Sequence, residues 1–209
     1  MQWLQPMMRS KRGRMSALRI ALSVIFLLPV VGHQGSAKAA QAKQAEAPTL
    51  CKPLPSDIQQ RLGEEFGSWK IQETKDLSTT ARERWKSEKP QQCPGIAVGR
   101  FTDGGTLSYA VLLVPKEHSD AGYKFLVFSP TPGKSSFERT VVEQSDRDGA
   151  ANFFIHRVPI SKFFNEPSRK KFGVRATEGI LLADAGAKEY ETDVYFWSNG
   201  SYQHQPVDY

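Results

Sequence analysis

Soft metal and redox ligands are scarce in this chain: 209 residues contain only two cysteines, four histidines and four methionines. The two cysteines, Cys51 and Cys93, form no Cys-x-x-Cys, which excludes a thioredoxin-type motif and c-type haem attachment. Without nearby histidine they cannot complete a tetrahedral zinc site. Neither Gly-x-Ser-x-Gly nor His-Glu-x-x-His occurs, so the local signatures of α/β-hydrolases and zinc peptidases are missing. The main apolar run of the leading segment, 20–31, is 12 residues long, well short of the roughly 20 that a spanning helix needs. Acidic residues are absent from positions 1–39, which carry six Lys or Arg. Of 28 basic side chains, 22 remain beyond that segment, matched by 22 acidic ones. The net charge of +6 therefore belongs to the leader, and the neutral remainder lacks the cationic surplus that phosphate binding requires.

What is present at the start reads as an export signal. A basic stretch to Arg19 precedes the apolar run, and a short polar stretch ends in Ala37-Lys38-Ala39, a small-x-small cleavage pattern. Cleavage is expected after Ala39, with Ala37 as the alternative. An uncleaved signal anchor would leave the remainder on the same side of the membrane, because basic residues hold the first end in the cytoplasm. A periplasmic or secreted protein is expected. No cysteine directly follows the cleavage site, so a lipid anchor is not indicated. In an oxidising compartment Cys51 and Cys93 are expected to be bridged; two buried free thiols are the alternative. The bridge would close a loop of about 43 residues, worth roughly 4 kcal/mol in the chain-entropy account.

Residues 40–49 are rich in Ala and Gln without bulky apolar groups and read as a linker, leaving 50–209 as one domain. Ser56 with Gln59 resembles a capping box before Ile58, Leu62 and Phe66, which share one helix face. A short strand is expected over 69–73. A second helix is expected over 79–87, with Leu77, Ala81 and Trp85 as its stripe. Strand patterns follow at 96–101, 106–114, 123–129, 137–144, 152–158, 171–176, 179–184, 192–198 and 201–207. Helices first and strands after them, with no helix-length crossovers, argue for an α+β fold: two N-terminal helices on a mainly antiparallel sheet of about eight strands.

Residues 99–114 (GRFTDGGTLSYAVLLV) carry Gly99, Phe101, Gly105, Tyr109 and Ala110 in a pattern that resembles the calcium-loop hairpin of FG-GAP and VCBS-type repeats, and such segments in small exported bacterial proteins. The resemblance implies a hairpin here. Where the pattern wants oxygen ligands the chain has Arg100, Thr102, Gly104 and Ser108, and Asp103 is out of register, so no metal and no cofactor are expected.

Asn199-Gly200 predicts a type I′ turn between the last two strands. That register pairs Trp197 with Tyr202 and Tyr195 with His204, and alternation gathers Tyr195, Trp197, Tyr202 and His204 on one face. Those four are the candidate binding residues if the face is open, and cross-strand packing if it is covered. Other groups are less specific. His118 lies in a polar loop; Glu189, Glu191 and Asp193 share one face of a strand. Arg169, Lys170, Lys171 and Arg175 form a basic cluster suited to an acidic partner. The expected function is a non-catalytic binding or interaction module of the cell envelope. Its partner would be a protein or an envelope component, with no nucleic acid and no membrane span once the signal is removed. The alternative is a small envelope hydrolase whose groups, such as His156, Ser161 and Glu178, meet only in three dimensions.

Overall fold

Every side chain from Ala110 to Val114 is buried. A strand achieves that only when both of its faces are covered, and this dictates the layering of the domain. The computed structural model describes residues 54–88, 92–186 and 190–208; the expected export signal (1–39), the expected linker (40–49) and Cys51 lie outside them. The strand in question, β3 (Ser108–Pro115), is the spine of a first antiparallel sheet. One of its edges pairs with β4 (Ala121–Pro130), which in turn pairs with β5 (Phe137–Asp148). Its other edge is shared end to end by β1 (Trp69–Ile71), opposite Pro115–Leu113, and β2 (Ile96–Gly99), opposite Val111–Ser108. At the join, Leu112 accepts a hydrogen bond from Gln72 N at 3.0 Å and donates to Gly95 O at 2.9 Å, so the ladder is not broken.

The second sheet is an antiparallel meander of β6 (Phe153–Pro159), β7 (Glu178–Asp184), β8 (Glu191–Ser198) and β9 (Ser201–Pro206). Period-two alternation sorts the core into three sets of contacts. Ala110, Leu112, Val114, Phe125 and Val127 of the first sheet pack against Ile155, Ile180, Leu182 and Tyr195 of the second. On the far side of the first sheet, Val111, Leu113, Leu126 and Phe128 meet Ile58 of α1 (Ser56–Glu65), with Leu62 and Phe66 alongside. On the far side of the second, Phe154, Leu181, Val194 and Phe196 meet Ala81 and Trp85 of α2 (Thr79–Glu88) and Leu77 just before it. Trp85 and Phe154 contact edge to face at 5.1 Å. The order is helix, sheet, sheet, helix.

Mainly antiparallel strands with helices on the outside match the expected class in outline, but the single sheet of about eight strands does not. There are nine strands in two sheets among the described residues, and the two first helices cover opposite outer faces. The sheets are joined through Ala150–Asn152, one 3-10 turn between β5 and β6. Sequence alternation cannot distinguish a strand added to a sheet from one that starts a second layer.

Local differences have local causes. The capping box at Ser56 is absent: Pro55 is the N-cap, and the Gln59 amide donates to Leu54 O at 2.5 Å. The expected strand at 171–176 is a helix end. Asn165 caps α3 (Glu166–Lys171) by accepting from Ser168 N at 2.9 Å, Pro167 sits in its first turn, and Gly173 at φ +64° stops it. Only Val174 keeps a bridge, to Ser198. The connection between β2 and β3 is eight residues, 100–107, longer than the 102–105 left between the two expected strands. Phe101 leaves the sheet to be buried completely, and Gly99 permits this, since a Cβ there would lie 2.6 Å from the Phe101 ring.

Candidate binding cleft

The terminal hairpin has the register the Asn-Gly turn predicts. Asn199 at φ 50° and Gly200 at φ 86° form the turn, Ser198 faces Ser201, Trp197 faces Tyr202 and Tyr195 faces His204. The four candidate side chains do share one face, and that face turns toward the first sheet. Tyr195 is buried, meets Phe125 edge to face at 5.1 Å and donates its hydroxyl hydrogen to Glu143 of β5. Its ring carries that of the exposed His204, stacked at 5.3 Å, whose Nδ1 is 3.2 Å from Asp193. Tyr202 is half-buried, and burial pushes its phenol up from the ordinary tyrosine value, partly opposed by the Ser129 hydroxyl. The aromatic face is therefore mostly packing. Its outer member differs.

Trp197 is half-buried and stands nearly perpendicular to Tyr202, with 5.0 Å between ring centroids. It forms one wall of a cleft of about 560 Å³ at the end of the sandwich, where both sheets contribute. The opposite walls are the β2–β3 loop, with Thr102, Asp103 and Thr106, and the β4–β5 connection, with Ser129, Thr131 and Lys134. Glu138 and Thr140 of β5 form part of the lining. Both loops are tied down. Arg100 N donates to Glu178 at 2.6 Å, Gly105 N donates to Thr102 O at 3.2 Å, and Thr131 N donates to Ser136 O at 2.9 Å. Ser129 and Ser108 hydroxyls lie 3.2 Å apart beneath the cleft. Charge in the lining nearly cancels, one cation against two carboxylates. Neither histidine nor cysteine is among its described residues.

A second, larger hollow of about 820 Å³ lies near the far end of β5, with Glu143, Asp146, Asp148 and Asp184 in its wall. Glu143 is committed to structure there, since Tyr123 and Tyr195 both donate to it. Burial, reinforced by the Glu143 bond, raises the Tyr123 phenol strongly.

The remaining sequence candidates do not converge. His156 is fully buried on β6 with Phe154 and Val158, facing α2, whereas Glu178 shares the opposite face with Ile180; Ser161 is exposed. Glu178 serves Arg100 N and pairs with Arg157 at 3.4 Å. His118 is exposed, Glu191 is exposed, and Glu189 lies outside the described residues. Arg169, Lys170 and Lys171 occupy the last turn of α3, where cations suit the helix end, and Arg169 also donates to Ala176 O at 3.2 Å. Cys93 is buried; its expected partner Cys51 lies outside the described residues. No group of three or more His, Cys, Asp or Glu among the described residues is placed to hold a metal, and no described helix is long and apolar enough to cross a membrane.

Sequence reasoning missed the 129–140 side of the cleft and the role of Glu143. Thr131-Pro132-Gly133-Lys134 has the composition of a turn, but nothing in it points to Trp197. Comparisons with protein-family profiles, curated proteins and solved structures find no match. The cleft must be read from its own chemistry.

Proposed function

We propose that this chain is an exported, periplasmic or secreted protein of the cell envelope that acts by binding, and that the Trp197 cleft is its binding site. The observation that carries this reading is the convergence of an indole from the second sheet and two anchored polar loops of the first on one concave site. Binding sites have that character: a formed hollow, an aromatic wall and a few placed polar groups. The leader-like first 39 residues and the neutral remainder support export and argue against a nucleic-acid partner. The hydrolase alternative needs a nucleophile beside a base, and the separation of His156, Ser161 and Glu178 removes the grouping that favoured it.

The test is capture of envelope material by the purified mature domain, beside Trp197→Ala whose fold is checked by circular dichroism. The wild type should retain a component that the folded variant loses. Equal retention by both would remove the cleft from the proposal.

A further inference from the structure

We infer that the ligand of this cleft is a saccharide; the inference rests on the binding reading above and adds the chemical class. The polar lining is dominated by hydroxyls, from Thr102, Thr106, Ser129, Thr131 and Thr140. A hydroxyl both donates and accepts, so this set matches a ligand whose own groups are hydroxyls and which presents donors and acceptors from one atom. Asp103 and Glu138 add acceptors and Lys134 a donor, with little net charge. That balance disfavours polyanions, which need a cationic surplus.

Trp197 supplies the other half of the recognition. A pyranose ring has a face of C–H groups, and an indole offers a flat surface with a negative face to receive them. The perpendicular Tyr202 at 5.0 Å braces the indole before any ligand arrives, which limits the ordering cost of binding. A protein hot spot would demand a more apolar centre; among the described lining residues the larger apolar side chains besides Trp197 are Pro130 and Pro132. The volume of about 560 Å³ falls within the range of small-ligand sites.

The experiment is co-sedimentation of the mature domain with insoluble envelope material in three preparations: untreated, oxidised with periodate and then quenched, and digested with protease. Periodate cleaves vicinal diols in sugars and leaves peptide bonds intact. Binding should survive protease and fall about tenfold or more after periodate; Trp197→Ala should lose about tenfold on untreated material. Trp197→Phe, which keeps an aromatic face and a near-native fold, should stay within a few-fold of wild type. Binding abolished by protease but unchanged by periodate would overturn the saccharide and leave the cleft standing. Phe as weak as Ala, with both folded, would overturn the stacking that defines the site. Absence of binding to untreated material would defeat the binding reading itself.

Discussion

Tyr195 of the second sheet donates its phenolic hydrogen to Glu143 of the first. Tyr123 donates to the other carboxylate oxygen, so one half-buried acid joins two layers. Hydrogen bonds to charged groups contribute about 1.5–3 kcal/mol each, and the phenols would be left without their acceptor. Glu143→Ala should therefore lower stability by about 2–4 kcal/mol, and Glu143→Gln by less. Urea denaturation should show a lower midpoint with an unchanged slope. A loss confined to a few tenths of a kcal/mol would show that apolar contacts alone hold the sheets together.

Tyr123 and Tyr202 set an alkaline limit. Burial first, and for Tyr123 the Glu143 bond second, raises the phenols of Tyr123 and Tyr202 above the ordinary value of 10.0. The folded state then keeps protons that the unfolded chain releases. The stabilisation is complete below about pH 10 and is lost as pH rises further. Urea midpoints should be flat over mildly alkaline pH and fall beyond about pH 10. The fall should be shallower in Tyr123→Phe.

Gly99 links the fold to the cleft. A methyl group at this position would lie 2.6 Å from Phe101 Cε1 and 3.0 Å from Arg157 Cδ. Phe101 is fully buried and begins the loop that carries Thr102 and Asp103. Gly99→Ala should cost about 1–3 kcal/mol, as overpacking generally does. It should also weaken capture of the ligand, because the loop start must move. Gly63→Ala is the control, since it lies outside the cleft and nothing is within 4 Å of its Cβ.

Closure of Cys51 onto Cys93 remains to be measured. The purified protein should be about 2 Da lighter before reduction than after, and reduction should lower its stability by roughly 4 kcal/mol. An unchanged mass would show two thiols.

The legible parts of the molecule are those in which one local constraint decides. Asn199-Gly200 fixed the turn, and with it the six residue pairs of the hairpin and the shared face of Tyr195, Trp197, Tyr202 and His204. Leu77, Ala81 and Trp85 were recognisable as one stripe, and all three are buried. Period alone could not say which sheet that stripe would cover. Position 171 shows the limit most clearly: an alternating Lys-Phe-Gly-Val-Arg looked like a strand, but the Asn165 cap and Pro167 upstream had already committed the chain to a helix. The cleft was half legible. Trp197 stood out by its type, whereas Ser129, Thr131 and Lys134 reach it only because β5 brings the first sheet back beneath the second, a relationship between residues more than sixty positions apart.

The helix, sheet, sheet, helix order bears on how the polypeptide acquires its shape. Trp85 is made early, yet the strands that shelter it, β6 to β8, emerge only after the whole first sheet. A chain assembled or threaded from its first residue must keep that indole waiting, uncovered, until nearly the whole length is present. Such a topology is dominated by distant partners and matures slowly. It also leaves sticky surface open meanwhile, which makes a holding chaperone a natural escort for the nascent chain and C-terminal truncation a route to aggregation.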